Sequence, residues 1–309
     1  MRDQYIIVLI TLMVISSYIL FLMVTFQITS FGIITNVLVY CSVRKLSSMS
    51  NSFGIITRNQ AVCNTIICSI FFFFIIPMQM KLSDELISHS DYIGIWATSI
   101  YDISNLSHVF IAINRFCAVF LPLHYDKLFT VSRTKRIRNI IWIFSFAKCI
   151  IIYEVFICYN MYYPEAWTLA YIDTPECITY TWYTDFVFNT TLVVFTISVN
   201  LLTACKAGKT TKRILRSTTG STISKQKQRE INFIKQTFFQ GTSIFAGQVS
   251  YYVIAPFVEN FILIFVLSAL WAFMHAVEGG IILASNQEIR RMLSWKKKKP
   301  TTIFISSGT

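Results

Sequence analysis

Charge is what this 309-residue chain has least of. Only 14% of its residues are Asp, Glu, Lys or Arg, against 54% apolar, whereas soluble domains carry roughly a quarter charged residues. Between Asp3 and Arg44 there is no charge at all, and as helix that stretch runs about 60 Å against a hydrocarbon core of about 30 Å. The scarcity excludes a two-domain soluble protein and leaves an integral membrane protein. Acid is scarcer than base, with 15 Asp and Glu against 27 Lys and Arg. In a soluble chain the surplus would suggest nucleic acid. Here the cations lie between apolar runs, so the surplus reads as membrane charge bias, with no nucleic acid as partner.

Other absences narrow the function. The four histidines are scattered, and neither His108 nor His275 has a second histidine or a cysteine three or four residues on, the spacing a helical metal site needs. Both read as hydrogen-bonded interior residues. Without a convergent catalytic set the chain is no enzyme, and no catalytic residue, metal or cofactor is expected. Internal repeats or paired broken helices, the mark of secondary transporters, are also missing, and a multi-span transporter is kept only as the alternative function.

What the chain has is seven apolar runs of spanning length. Counting back from Arg44 and Lys45 puts the first at Ser17 to Val43. The others are Phe53 to Met78, Tyr92 to Ala118, Ile137 to Tyr159, Tyr183 to Cys205, Phe233 to Phe257 and Phe261 to Ser285. Residues 1–16 are either the apolar part of a signal peptide or an overlong first helix. Alternate connectors collect the cations: Arg44 and Lys45, Lys127 to Arg138, Lys206 to Arg229, and Arg290 to Lys299. The others hold Asp84, Glu85, Asp91, Glu165, Asp173, Glu176 and Asp185, with Lys81 their only Lys or Arg. That alternation sets the amino terminus outside and the carboxyl tail in the cytoplasm. The spans form one all-α domain over residues 17–285, and residues 286–309 add a short amphipathic helix and a basic tail. Ile289, Met292 and Leu293 share a face there, suited to the inner leaflet, with Trp295 and Lys296 to Lys299 as lipid anchors. The Ser- and Thr-rich stretch Ser217 to Ser224 is a solvated loop or a phosphorylation switch.

The third run is the reference for the rest. It carries Asp102 and Ser104 and closes on Asn114-Arg115-Phe116 ahead of a proline and more cations, which marks a cytoplasmic mouth. On the opposite face Cys158 and Cys177 share an oxidising compartment, where they form either a disulfide or free thiols. Asp102 lies about 20 Å up the helix from Arg115, and Lys148 lies in the outer half of the fourth run. They form a buried ion pair, or Asp102 serves as counter-ion to a cationic ligand.

Five stretches then carry a likeness: NSFGIITRNQA at Asn51, YDIS..SH....INRFCAVF.PL.Y from Tyr101, TPEC at Thr174, REINFIKQTFFQG from Arg229, and LWAFMHAVEGGIIL..NQEIR from Leu270. In order and spacing they resemble the nematode chemoreceptors of serpentine receptor class X, rhodopsin-like seven-transmembrane G-protein-coupled receptors, over nearly the whole chain beyond Ile28. The resemblance implies a chemosensory receptor of the plasma membrane, in sensory neurons or their cilia, with a heterotrimeric G protein and a small molecule as partners. Asn114, Arg115 and Phe116 are the matching coupling residues, unless Arg115 merely snorkels. Asn36, Asn64 and Trp142 match rhodopsin-like positions, and Glu278-Gly-Gly stands where the seventh-helix Asn/Asp-Pro motif is usual. The chain departs from that pattern in having Asn114 where an acid is usual, and in lacking an outer cysteine on the third helix and a Cys-Trp-x-Pro hinge on the sixth.

On the same spacing Asn36, Asn64, Ser104 and Glu278 converge at mid-membrane. Glu278 there exchanges a proton or sodium ion as the receptor switches, or the four make a hydrogen-bonded plug. The ligand pocket is expected in the outer half of the bundle, with Tyr101, Asp102, Gln248, Tyr251, Tyr252 and Trp271 around a small, mostly apolar molecule bearing one or two hydrogen-bonding groups.

Overall fold

The computed structural model describes residues 2–215, 238–239 and 241–293, with side chains at 18–209, 238–239, 241–255, 257–260 and 262–293. The expectations for Ser217 to Arg229, for the start of the sixth run, and for Trp295 with its lysines lie outside the described residues.

The described residues supply seven bundle helices. These are α1 (Arg2–Lys45), α2 (Ser52–Ile70), α3 (Ser90–Phe120), α4 (Val131–Glu154), α5 (Phe188–Leu215), α6 (residues 241–249) and α7 (Phe261–Ser285), followed by α8 (Gln287–Leu293). Three of them carry π turns: Phe71–Ile75 extends α2 towards Gln79, Trp182–Val187 leads into α5, and Ser250–Ile254 ends α6. Among the described residues five helices are long and apolar enough to cross a membrane. The fourth carries Arg138 and Lys148, and the sixth is described only in part.

Local chemistry sets the ends. Asn51 Oδ1 accepts from the Gly54 amide at 3.1 Å, Thr130 caps α4 through Arg133, and Asn260 caps α7 through Ile262 and Leu263. Each satisfies amides that the first helical turn leaves unpaired. Pro122 cannot continue α3, so the chain turns into a separate short helix, Pro122–Leu128.

Burial is inverted relative to a soluble bundle. Phe31, Phe73, Ile143, Leu202 and Val266 face outward, while Asn36, Asn64, Asp102, Ser104 and Glu278 are buried. That arrangement suits a lipid solvent, where polar groups must find one another inside the bundle. Helices α1 and α7 approach closely because Gly279 has no side chain: a Cβ there would stand 2.9 Å from the Asn36 backbone nitrogen.

Several boundaries differ from the sequence expectation. The backbone runs from Arg2 into the first span as one helix. Helix α4 stops at Glu154 rather than Tyr159, because Ile157 takes a positive φ of 49° and the chain enters a hairpin. The fifth span begins with Pro175–Thr181, capped by Thr174, well before Tyr183. Ile289 of α8 is fully buried and packs into the cluster holding Val39, Val43 and Ile282. Only Met292 and Leu293 remain for the lipid face.

The hairpin was not anticipated from the sequence. Strands β1 (Asn160–Tyr163) and β2 (Thr168–Tyr171) pair antiparallel, Asn160 opposite Tyr171, across the mouth of the bundle remote from Arg44 and Lys45. The Cys158–Cys177 disulfide ties it to the helix that leads into α5. At its turn the Ala166 and Trp167 carbonyls accept from Ser268 of α7 and Gln79 at the end of α2, at 2.8 and 2.9 Å. Gly94 of α3 admits the strand: a Cβ there would lie 1.7 Å from the Asn160 carbonyl oxygen.

Candidate functional site

Three sites line up along α3. At the hairpin face a cavity of about 60 Å³ lies beneath the two strands. Its wall includes Tyr101, Tyr171, Gln248, Tyr251, Tyr252 and Trp271. All of the expected pocket residues are there except Asp102, which lies behind the wall. The carboxylate that does face the cavity is Asp185, which stands at the outer end of the expected fifth run and was counted with the acidic connectors, without being named among the pocket residues. Gln248 donates to the Tyr101 hydroxyl, which fixes α6 against α3. Burial raises the Tyr171 phenol well above its ordinary value, so on the hairpin it is a neutral hydroxyl.

Behind that wall Asp102 Oδ2 meets Lys148 Nζ at 2.6 Å, with Asp102 almost wholly buried. Lys148 also donates to the Thr184 carbonyl at 2.8 Å and stands 4.4 Å from the Phe188 ring centre. Asn189 joins this pair to the cavity: its Nδ2 donates to Asp102 Oδ1 at 3.2 Å and to Asp185 Oδ1 at 2.5 Å. Its own oxygen accepts from Asn105 at 2.9 Å, and Tyr252 donates to Asp185 Oδ2 at 2.5 Å. Two carboxylates thus share one amide group, with one ammonium beside them.

Halfway along the bundle Glu278 gathers the second site. Its Oε2 accepts from Asn64 at 2.6 Å and from Gln60 at 2.9 Å, and its Oε1 faces His108 Nε2 at 2.7 Å. Asn64 Oδ1 in turn meets His275 Nδ1 at 2.9 Å, and Asn36 donates to the His275 and Gly32 carbonyls. Of the residues expected to converge, Asn36, Asn64 and Glu278 stand in one network. Ser104 reaches it only through Gln60, which donates to its hydroxyl at 2.6 Å. Gln60 and His108 were missing from the expected set. Both stand one helical turn from a member that was named, Gln60 from Asn64 and His108 from Ser104, and that spacing is the signal that would have found them.

At the basic face Arg115 lays its guanidinium 3.6 Å from the Phe53 ring centre of α2. Asn114 is buried and donates to the Tyr125 hydroxyl at 3.2 Å, on the short helix after Pro122. Phe116 stacks on Phe120 at 4.3 Å. Where rhodopsin-like receptors carry an acid beside the arginine, this chain holds its connecting helix by an amide.

Comparison with known proteins accords with this geometry. The model of the family described as serpentine type 7TM GPCR chemoreceptor Srx matches residues 26–286. Serpentine receptor class X 45 of Caenorhabditis elegans is 26% identical over 302 residues, covering 90% of this chain and 82% of the relative. Serpentine receptor class X-43 of the same organism is 21% identical over 262 residues, covering 83% and 81%. Squid rhodopsin superposes with a TM-score of 0.74 at 12% identity, over 91% of this chain and 85% of that one, a likeness of fold. With ion pair, polar core and arginine strung along one helix of a rhodopsin-like bundle, the chain belongs to the Srx family of serpentine seven-transmembrane G-protein-coupled chemoreceptors.

Proposed function

We propose that this multi-pass membrane receptor detects a small molecule in the cavity beneath the hairpin and passes the event to a heterotrimeric G protein at the basic face. The observation that carries the reading is the alignment on α3. Tyr101 faces the cavity, Ser104 and His108 touch the Glu278 network, and Arg115 ends the series about 21 Å from Tyr101. A ligand that shifts α3 or α6 at the Tyr101–Gln248 contact disturbs the Glu278 network next, since that network ties α3 to α2 and α7. Residues 17–285 act as the receptor unit, and α8 with the tail beyond it holds the inner leaflet. The plasma membrane of sensory neurons or their cilia is the setting that suits such a receptor.

The Glu278 network acts here as the coupling element, in which the carboxylate exchanges a proton or sodium ion when the helices rearrange. Arg115, with Asn114 and Phe116, forms the contact for the G protein.

The test is a screen of volatile and water-soluble odorants in cells carrying the chain and a Gα activation reporter, run beside Arg115→Ala. An active odorant should drive nucleotide exchange in wild type. In the variant it should still bind, with exchange down by at least tenfold. Substrate flux in proteoliposomes without any exchange would replace this reading with the transporter.

A further inference from the structure

We propose that the ligand is a small protonated amine whose ammonium group sits on Asp185. The inference rests on the cavity being the ligand site, as argued above.

Asp185 is a buried carboxylate whose hydrogen-bond partners among the described residues are neutral. Asn189 donates to one oxygen and the Tyr252 hydroxyl to the other. Among the described residues no Lys, Arg or His nitrogen stands within 4.0 Å of it, and Lys148 is held by Asp102 and the Thr184 carbonyl. A carboxylate offers about four lone-pair positions, so two remain for a ligand. Removing a carboxylate from water without a cation is costly, and the open side of this one faces the cavity.

A second observation is independent of that charge. The cavity wall carries buried polar atoms with no hydrogen-bond partner among the described residues: Gln248 Oε1, Asn160 Oδ1, Thr168 Oγ1 and Trp271 Nε1. Two of these can only accept, the hydroxyl can do either, and only the indole is solely a donor. Acceptors beside a carboxylate complement a group with several N–H bonds and a positive charge. Beside Asp185 they disfavour a carboxylate, and a ketone would find only the indole N–H and the Thr168 hydroxyl to donate to it. The aromatic rings of Tyr101, Tyr252 and Trp271 in the wall add groups whose faces attract a cation.

Size completes the description. A water needs about 10–15 Å³ of such space, so 60 Å³ holds about five waters, or an amine with a short hydrocarbon chain. Without the ammonium, Lys148 is the sole cation paired in a group with two carboxylates. With it, the charges of Asp102, Lys148, Asp185 and ligand sum to zero.

The experiment uses the full chain in nanodiscs at pH 7, with butylamine, 1-butanol and tetramethylammonium as probes and thermal stabilisation and saturation-transfer NMR as readouts. Butylamine should bind at least tenfold more tightly than 1-butanol. It should also surpass tetramethylammonium, which has the charge but no N–H to give. Asp185→Asn, which keeps an acceptor oxygen for the Asn189 amide and turns its own amide nitrogen to the Tyr252 hydroxyl, which can accept, should abolish the preference for amine over alcohol. Should that variant fail to fold, the ranking of the three probes on the wild-type receptor decides alone. Equal binding of butylamine and 1-butanol, or a preference that survives Asp185→Asn, overturns the assignment. Exchange driven only by neutral odorants overturns it too and leaves the receptor reading intact, whereas amine binding without any exchange upholds the ligand class and removes the coupling.

Discussion

Replacing Lys148 should do more damage than replacing the residue it pairs with. In Lys148→Met the Asp102 carboxylate, 1% exposed, loses a partner at 2.6 Å, and stripping one member of a buried pair costs about 3–5 kcal/mol. The structure adds to that cost. Asp102 and Asp185 both accept from the Asn189 amide, so without Lys148 two carboxylates face each other across one neutral side chain. In Asp102→Asn the lysine keeps the Thr184 carbonyl at 2.8 Å and the Phe188 ring, and Asp185 stays within its field. The cost there should be about 1.5–3 kcal/mol, the range for a hydrogen bond to a charged group. The double variant Asp102→Asn/Lys148→Met removes the pair as a unit and should fall between the two singles. The assay is the folded fraction against temperature for detergent-solubilised receptor, with surface expression alongside. At about 1.4 kcal/mol per tenfold, Lys148→Met should lower the folded-to-unfolded ratio by about two to three orders of magnitude. Equal loss in both singles would sink the charge count, and a double variant worse than either single would show that the pair was never the unit.

How much of this was legible before the fold was known depends on which physical signal each part uses. The seven spans and their polarity come from counting charge along the chain, and lipid enforces that count one residue at a time. Asn36, Asn64 and Glu278 were visible because a polar residue in an apolar run has few tolerable places. Gln60 and His108 escaped because attention to single matched positions passed over the rest of the helical stripe. Asp185 stood inside the expected fifth run but was passed over as a pocket residue: counted with Asp173 and Glu176, it weighed as part of the acidic connectors. The fifth span in fact starts at Pro175, and a capped turn plus a π turn carry Asp185 inward. Apolarity cannot reveal a helix that begins PECITYT. The hairpin is the same kind of failure, since two four-residue strands give too few alternations to stand out against aromatic flanks. The disulfide was one of two readings that the compartment and the two cysteines outside the apolar interior left open, and the fold joins them.

Three further outcomes test the packing and the polar core. Cys158→Ser should lower stability by roughly 3 kcal/mol, the value for closing a loop of this length, and a melting temperature unmoved by the substitution or by reductant would show the bridge to be idle. Gly94→Val should displace β1, since even a Cβ would sit 1.7 Å from the Asn160 carbonyl; wild-type melting and wild-type reactivity of a label at Tyr162→Cys would contradict that close approach. For Glu278→Gln the geometry itself supplies the argument. Both carboxylate oxygens now accept, one from Asn64 and Gln60 and the other facing His108 Nε2, and a glutamine can keep only one acceptor there. Its amide nitrogen must therefore turn to His108, which can receive it only with Nε2 unprotonated. If Glu278 exchanges a proton or sodium ion on activation, the wild-type response depends on pH or on sodium, and the variant loses that dependence while still binding agonist. A wild-type response indifferent to both ions would reduce Glu278 to a structural plug, with the donors around it serving only to make its burial tolerable.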